Sequence, residues 1–266
     1  MSGATMNRIA ANPFDLTGKV AMVTGSRTGL GQAIAIALSQ AGASIVGVDR
    51  GPAEETRAAI EAQGGIFLPV IADLSTTAGL PAIVQAALDR FGALDILVNN
   101  AGIIRRADAL DFTEEDWDAV VDVNLKSAFF LAQAAARAML AARPNGKSAG
   151  GKIINIASML SFQGGIRVAS YTSAKSGLMG LTKLLACEWA ARGINVNAIA
   201  PGYMATNNTA PLRADAERNT QILARIPAGR WGAPADLGGA AVFLASEASA
   251  YVHGTTLAVD GGWLAR

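Results

Sequence analysis

The sequence predicts an α/β protein, a doubly wound parallel sheet of about seven strands with helices on both faces. Two observations support this fold class. Most of seven short runs rich in apolar and β-branched residues lack polar alternation, which is typical of strands buried on both faces of a sheet. Helix-like stretches separate nearly all of these runs, and this order favours parallel strands joined by crossover helices.

The predicted elements run through most of the chain. The strands are predicted at 20–23, 44–48, 66–71, 96–98, 152–156, 195–198 and 256–259. The helices are predicted at 31–40, 53–63, 80–91, 114–141 and 173–191. No linker divides these elements, so we expect one domain over residues 14–266, preceded by a flexible leader over residues 1–13. The turn-rich segment 143–151 lies between a helix and a strand and is interpreted as a surface loop.

Composition excludes several classes of function. The net charge of +1 provides no basic field, so we expect no nucleic-acid partner. The uncharged segment 28–48 contains a turn-like interruption at 39–42, so we expect no membrane span, and residues 1–12 lack the apolar core of a secretory signal.

Cys187 is the one cysteine of the chain, which suits a reducing compartment, and we expect the cytoplasm. With His253 as the one histidine, we expect neither a metal site nor a Ser–His or Cys–His nucleophile.

A glycine-rich loop follows the first predicted strand and leads into a helix. Its glycines are Gly25, Gly29 and Gly31. Glycines let the backbone approach a pyrophosphate closely, and the helix N-terminus supplies free N–H groups. Asp49 ends the second predicted strand, 18 residues after Gly31, where an acid binds the adenosine ribose. The loop therefore predicts a Rossmann fold that binds a dinucleotide.

A second motif predicts acid–base chemistry. Tyr171 and Lys175 are four residues apart at the start of a helix, so both lie on one face. A tyrosine has a pKa of about 10, and a positive charge about 4 Å away is worth roughly 4 kcal/mol at an effective dielectric constant of about 20. We therefore predict that Lys175 lowers the pKa of Tyr171 and that Tyr171 exchanges a proton with a carbonyl or hydroxyl oxygen. The hydroxyl of Ser158 would hold the same oxygen.

These motifs occur in order with several others, and together they carry a family resemblance. The further motifs are Asn99-Asn100-Ala101-Gly102, Asn124 within Asp122-Val123-Asn124-Leu125, Ser158 after a strand, Pro201-Gly202 with Thr206 downstream, and Asp260-Gly261-Gly262. Over residues 14–266 the chain resembles the short-chain dehydrogenase/reductase family. The resemblance implies a single-domain Rossmann oxidoreductase that transfers hydride between a nicotinamide cofactor and a ketone or secondary alcohol. It implies Asn124, Ser158, Tyr171 and Lys175 as the catalytic residues, with Asn124 anchoring a water that links Lys175 to solvent.

The resemblance also implies the cofactor site and the assembly. The cofactor-binding residues it implies are Gly25, Arg27, Thr28, Gly29, Leu30, Gly31, Asp49, Asp73, Leu74, Asn100, Ala101, Gly102, Tyr171, Lys175, Pro201, Gly202, Met204 and Thr206. We expect a preference for NAD, because Asp49 would repel a 2′-phosphate; Arg27 and Arg50 leave use of NADP open. The helices around 127–136 and 178–186 are apolar over much of their circumference. Helices of this kind need a second partner, and the family pairs them between subunits, so we expect a homotetramer.

Four further stretches bear on the substrate. Residues 103–106, 158–167, 202–209 and 225–232 resemble family members that act on acidic deoxy-sugars. Such a substrate needs a cation for its carboxylate, and the candidates are Arg105, Arg167 and Arg213, beside Ser158 and Met204. Two alternatives use the same catalytic set, a 3-oxoacyl carrier-protein reductase and another sugar or polyol dehydrogenase. An alternative of another class is a non-catalytic NAD-binding regulator, which needs the glycine loop but not the acid–base pair.

Overall fold

One parallel sheet of seven strands organises the protein. In the computed structural model, which describes residues 12–141 and 150–266, the strand order is β3-β2-β1-β4-β5-β6-β7. The predicted fold class is confirmed. The strands are β1 (Val20–Thr24), β2 (Ser44–Asp49), β3 (Phe67–Ile71), β4 (Ile96–Asn99), β5 (Gly151–Ile156), β6 (Ile194–Pro201) and β7 (Thr256–Val259).

The sheet changes its winding direction between β1 and β4, and this sets the place of the site. The chain proceeds outward from β1 through β2 to β3, and then returns to the other side of β1 to form β4. The crossover connections therefore diverge at the carboxyl ends of β1 and β4. Ligands of open α/β sheets bind in the crevice that opens at such a point.

Nine α-helices are described, and several differ from the prediction. They are α1 (Gly29–Gln40), α2 (Glu54–Glu61), α3 (Leu80–Phe91), α4 (Glu114–Val121), α5 (Ser127–Leu140), α6 (Ala169–Trp189), α7 (Ala210–Ala214), α8 (Ala216–Arg225) and α9 (Gly238–Ala245). The helix predicted over 114–141 is interrupted by a π-helical turn at Asp122–Lys126. The helix predicted over 173–191 begins earlier, at Ala169. Helices α7, α8 and α9, between β6 and β7, were not predicted.

Burial on both faces of the sheet explains why the sequence of β1 does not alternate between apolar and polar residues. Ala21 and Val23 of β1 pack into a cluster with α1 and α9 on one face of the sheet. Val20 and Met22, the alternate residues of the same strand, pack into a cluster with α3, α5 and α6 on the other face. Because both faces are covered, every position of β1 is apolar or buried.

Some predictions fall outside what the structure describes. The predicted leader lies outside the described residues except for its last two, Asn12 and Pro13. Pro13 accepts a hydrogen bond from the Ala248 N–H at 3.0 Å. Positions 143–149 of the predicted surface loop also lie outside the described residues. Over the described ranges, none of the helices has the length and apolar character needed to cross a membrane.

Candidate active site

A cleft of about 1190 Å³ opens at the carboxyl ends of the central strands. It is lined by most of the residues predicted for cofactor and substrate. These are Gly25, Arg27, Thr28, Gly29, Leu30, Asp49, Asp73, Leu74, Asn100, Ala101, Gly102, Arg105, Ser158, Tyr171, Lys175, Pro201, Gly202, Met204, Thr206 and Arg213. Gly31, Asn124 and Arg167 are not part of the lining.

The glycine loop at the start of α1 has no room for side chains. Gly25 and Gly29 have φ angles of +67° and +61°, a backbone conformation that favours glycine. A Cβ on Gly25 would lie 2.8 Å from the Asn100 amide nitrogen, and a Cβ on Gly31 would collide with the Gly25 carbonyl. Thr28, the residue before α1, makes no side-chain capping hydrogen bond, so the first N–H groups of α1 are available to a ligand. This Cβ-free cradle fits a pyrophosphate.

Asn100 and Thr24 hold the loop against the end of β4. The Asn100 side chain donates to the Thr24 carbonyl at 2.8 Å. The Thr24 hydroxyl accepts from the backbone N–H groups of Asn100 and Ala101, at 3.0 and 2.9 Å. Asn100 therefore has a structural role at the end of β4 in addition to lining the cleft.

Two carboxylates lie at the adenosine end of the cleft. Asp49 accepts hydrogen bonds from the backbone N–H groups of Arg27 at 3.2 Å and Arg50 at 2.8 Å. The Arg27 Nε lies 3.6 Å from Asp49 Oδ1, so this carboxylate has a cation beside it. Asp73 accepts from the Ser75 N–H at 2.9 Å, and this backbone hydrogen bond lowers the pKa of the Asp73 carboxyl.

Tyr171, Ser158 and Lys175 meet at the other end of the cleft. Ser158 follows β5, its hydroxyl accepts a hydrogen bond from the Leu160 N–H at 3.2 Å, and its proximity acts to lower the pKa of the Tyr171 phenol. Tyr171 and Lys175 lie on the first turns of α6. The Lys175 Nζ is 5.8 Å from the centre of the Tyr171 ring and donates to the Ile156 carbonyl at 2.6 Å.

The pKa values differ from the sequence prediction. Burial raises the pKa of Tyr171 and outweighs the lowering by the nearby Ser158 hydroxyl and by the charge of Arg106. Burial also lowers the pKa of Lys175 to about 8. The prediction that Lys175 lowers the pKa of Tyr171 is wrong for this arrangement, because the ammonium group is directed at the Ile156 carbonyl and is itself desolvated.

Asn124 lies behind the cleft, in the π-helical turn between α4 and α5. It is 1% exposed. Its side-chain oxygen accepts from the Ile103 N–H at 2.8 Å, and its amide donates to the Ile103 carbonyl at 2.9 Å. A Cβ on Gly102 would lie 3.2 Å from this oxygen and 3.6 Å from the Lys175 Nζ. Asn124 therefore ties the chain after β4 to the helix beside Lys175.

The arginines predicted to meet the substrate have different surroundings. Arg105 forms an ion pair with Asp116 at 3.0 Å, and Arg167 forms one with Asp108 at 3.4 Å. Arg213 donates to the Thr206 carbonyl at 3.0 Å. Arg106 was missed by sequence reasoning, although its charge acts on Tyr171. The available signal was its position next to Arg105 in the sequence. The sequence alone does not show which of these two arginines forms an ion pair with an acidic residue.

Other titratable groups lie away from this constellation. His253 is exposed, and its Nε2 lies 3.2 Å from the side-chain nitrogen of Asn195, at the opposite end of β6 from the cleft. Cys187 is an exposed free thiol. Among the residues that the structure describes, no three His, Cys, Asp or Glu side chains group in a way that could hold a metal ion.

Comparison with known proteins agrees with this geometry. A family model described as enoyl-(acyl carrier protein) reductase matches residues 25–264. The chain belongs to the short-chain dehydrogenase/reductase family of oxidoreductases, which uses NAD or NADP.

Individual relatives cover nearly the whole chain. The 2-dehydro-3-deoxy-D-gluconate 5-dehydrogenase of Escherichia coli is 61% identical over 253 residues, which is 95% of this chain and 98% of the relative. A solved structure from Agrobacterium tumefaciens with bound NADP is 59% identical, with a TM-score of 0.88, and the match covers 96% of this chain and 100% of that one. A gluconate 5-dehydrogenase from Burkholderia cenocepacia, solved with NADP and tartrate, is 41% identical with a TM-score of 0.87, covering 96% of this chain and 98% of that one.

Proposed function

We propose that the protein has 2-dehydro-3-deoxy-D-gluconate 5-dehydrogenase activity, also called 2-deoxy-D-gluconate 3-dehydrogenase activity, in the catabolism of uronates. The reaction is a hydride transfer between a nicotinamide cofactor and the ketone or secondary alcohol of an acidic deoxy-sugar. The observation that carries the proposal is the placement of Tyr171, Ser158 and Lys175 in the same cleft as the glycine loop. The 61% identity to the E. coli enzyme supports the substrate class.

The proposed catalytic residues are Asn124, Ser158, Tyr171 and Lys175. In the reductive direction Tyr171 gives its proton to the carbonyl oxygen, and its raised pKa keeps the phenol protonated near neutral pH. The Ser158 hydroxyl would donate to the same oxygen. Because the pKa of Lys175 is about 8, this side chain is mostly charged at neutral pH, and its ammonium would donate to the nicotinamide ribose. Asn124 keeps the wall beside Lys175 in place through Ile103.

The other end of the cleft would hold the cofactor. When bound, the nicotinamide supplies or accepts the hydride. The N–H groups at the start of α1 would bind the pyrophosphate, and the Asp49 carboxylate would accept hydrogen bonds from the adenosine ribose. The second ribose would lie near Lys175.

We also propose that the enzyme is a cytoplasmic homotetramer. Phe130 on α5 and Leu184 on α6 are 38% and 49% exposed, and Phe129, Leu140 and Trp189 nearby are only partly buried. A groove of about 560 Å³ runs between the outer faces of these two helices. An exposed apolar groove of this kind favours contact with another chain.

The test compares the wild type with Tyr171→Phe, using loss of NADH absorbance with the acidic diketone substrate. We expect kcat to fall by at least about 100-fold, since proton transfer by a positioned side chain contributes this much, while the dissociation constant of NADH changes little. Tyr251→Phe is the matched control, because Tyr251 is 98% exposed. Substantial activity in Tyr171→Phe would contradict the mechanism.

A substrate panel separates the alternatives. The panel contains the acidic diketone, a neutral ketone and a 3-oxoacyl carrier-protein thioester. Turnover confined to the thioester would replace the proposed activity with that of a carrier-protein reductase. Binding of NADH without turnover of any member would indicate a regulator.

A further inference from the structure

Thr56 occupies a position of α2 where an apolar side chain is expected. Helix α2 buries two residues, Thr56 and Ile60, which are four apart and therefore lie on the same face of the helix. Thr56 is 0% exposed. Because burying a hydroxyl costs free energy unless it is hydrogen-bonded, the bonds of this side chain indicate what a threonine does here.

The Thr56 hydroxyl is bonded to the glycine loop. It donates to the Ser26 carbonyl at 2.8 Å and lies 3.3 Å from the Arg27 carbonyl. The side-chain amide of Gln32, on α1, donates to the same hydroxyl at 3.1 Å. The oxygen of Thr56 thus accepts from α1, while its single proton is given to the loop. Thr56 therefore joins α2 to the segment that precedes α1.

The peptide unit between Ser26 and Arg27 is held at both ends. Its carbonyl accepts from Thr56, and its N–H donates to Asp49 Oδ2 at 3.2 Å. A trans peptide unit is planar, so its carbonyl and its N–H point in opposite directions and cannot turn independently. Because Thr56 holds the carbonyl, it also sets the direction in which the N–H meets the Asp49 carboxylate.

We propose that Thr56 is a positioning residue that sets the discrimination between NADH and NADPH, by orienting this peptide unit against Asp49. The inference rests on the proposed cofactor site, in which Asp49 accepts hydrogen bonds from the adenosine ribose. Thr56 itself does not touch the cofactor in this arrangement, because it acts on the carboxylate through the backbone of the loop.

Loss of the hydroxyl should affect the two cofactors differently. The buried Ser26 carbonyl would lose its hydrogen bond with Thr56, and an unsatisfied buried carbonyl is costly, so the peptide unit would turn to find another donor. Asp49 would then lose the Arg27 N–H. A carboxylate that is less firmly held binds the ribose hydroxyls of NADH less well, and it can also move away from the 2′-phosphate of NADPH.

The experiment measures dissociation constants of NADH and NADPH by fluorescence titration, for the wild type, Thr56→Val and Thr56→Ser. Valine keeps the branched shape of threonine without the hydroxyl, whereas serine keeps the hydroxyl. In Thr56→Val we expect the NADH constant to rise by about 3- to 10-fold, the effect of one hydrogen bond, and the NADPH constant to change by less than about twofold. Thr56→Ser should bind both cofactors as the wild type does.

A second pair of ligands confines the test to the adenosine half of the cofactor. The ligands 5′-AMP and adenosine 2′,5′-bisphosphate differ only by the 2′-phosphate, and both are titrated calorimetrically. Thr56→Val should change the ratio of their dissociation constants in the same direction as for NADH and NADPH. These measurements need no substrate, so a protein that reduces none of the tested ketones can still show the effect of Thr56.

Ser249→Ala is the matched control for the loss of a buried hydroxyl. Ser249 is also 0% exposed, and its hydroxyl donates to the carbonyls of Leu244 and Ser246 at 3.1 and 3.0 Å. Ser249→Ala should lower the thermal midpoint of unfolding without changing the ratio of the NADH and NADPH constants. A lower midpoint with an unchanged ratio in Thr56→Val would mean that Thr56 only supports the fold, and the inference would be overturned.

A double mutant tests whether Thr56 acts through Asp49. In the Asp49→Ser background, Thr56→Val should leave the ratio of the two constants unchanged, because the carboxylate that the peptide unit orients is gone. An equal shift in both backgrounds would overturn the inference. If Asp49→Ser binds NADH and NADPH as the wild type does, the proposed cofactor site is wrong and the inference fails with it. If Asp49→Ser changes the ratio and Thr56→Val does not, the site stands and only the role of Thr56 is wrong.

Discussion

Asp49 shows how one carboxylate can determine the choice of cofactor. Two backbone N–H groups fix it at the end of β2, from Arg27 and Arg50. Because its position is fixed, its negative charge would face whatever occupies the 2′ position of the adenosine ribose in the proposed cofactor site. The Arg27 guanidinium beside it, at 3.6 Å, is 53% exposed and can turn toward a phosphate.

We expect the wild type to prefer NADH over NADPH by at least about tenfold in kcat/KM, which corresponds to about 1.4 kcal/mol. Asp49→Ser should lose this preference, because it removes the repulsion of the 2′-phosphate. Arg27→Ala should shift the preference in the opposite direction, because it removes the neighbouring cation. Equal kcat/KM values for NADH and NADPH in the wild type would mean that Arg27 and Arg50 attract the 2′-phosphate as strongly as Asp49 repels it. Both cofactors need to be measured, because the A. tumefaciens relative was solved with bound NADP.

At the residue scale, sequence reasoning located side chains better than it described their surroundings. Tyr171 and Lys175 could be placed on one face from a spacing of four, because helix geometry is regular. The direction of the Tyr171 pKa shift could not be predicted, because burial depends on elements far away in the chain. Arg106 was missed for the same reason: its neighbour Arg105 differs from it only by the ion pair with Asp116.

At the scale of elements, the turn from β1 into α1 depends on the absence of side-chain atoms. The first turn of α1 passes directly under the loop, so a Cβ on Gly31 would meet the Gly25 carbonyl and the Asn100 amide. The clash would push the loop away from β4 and change the spacing of the N–H groups that are proposed to bind the pyrophosphate.

Gly31→Ala should therefore weaken NADH binding by at least about tenfold, a loss of about 1.4 kcal/mol. Fluorescence titration of NADH measures this directly. Gly239→Ala is the control, because Gly239 lies in α9 with nothing within 4 Å of its Cβ position. That change should leave NADH binding intact and raise the free energy of unfolding by about 0.5–1 kcal/mol. Wild-type affinity in Gly31→Ala would show that the loop adjusts freely.

The strands were predicted more reliably than the helices. Each strand is a short run rich in apolar residues between turn residues, and burial of the central strands on both faces leaves a clear signal. The π-helical turn at Asp122–Lys126 could not be predicted, because the apolar pattern continues across it from α4 to α5. Helices α7 to α9 contain 5, 10 and 8 residues, and such short segments carry few turns of helical periodicity.

At the scale of the whole molecule, the outer faces of α5 and α6 form the proposed subunit contact. The groove between them is lined mostly by apolar side chains, together with Gln133, Arg137, Arg192 and Glu188. Because this surface carries positive and negative side chains beside apolar ones, it can be complementary to a second copy of itself. A two-fold axis places the same surface of two subunits in contact.

Light scattering at micromolar concentration should give a mass near four times 27.2 kDa. Replacing Phe130 and Leu184 by Asp should produce smaller species, because charge would be buried at the contact without a partner. Ile66→Asp is the control, since Ile66 is equally exposed, at 48%, but lies next to the edge strand β3. A monomeric wild type would contradict the proposal.

The π-helical turn has a consequence that connects the reaction centre with the outer surface. It contains one residue more than an α-helical turn, and each residue of a helix advances the side chains by about 100°. That extra residue sets the rotational phase between Asn124, which faces Ile103, and the side chains of α5 such as Phe130. Removing one residue here would leave a continuous helix but rotate everything after it. The proposed catalytic site and the proposed subunit contact would therefore depend on the same helical rotation, and a single insertion or deletion at this turn would disturb both.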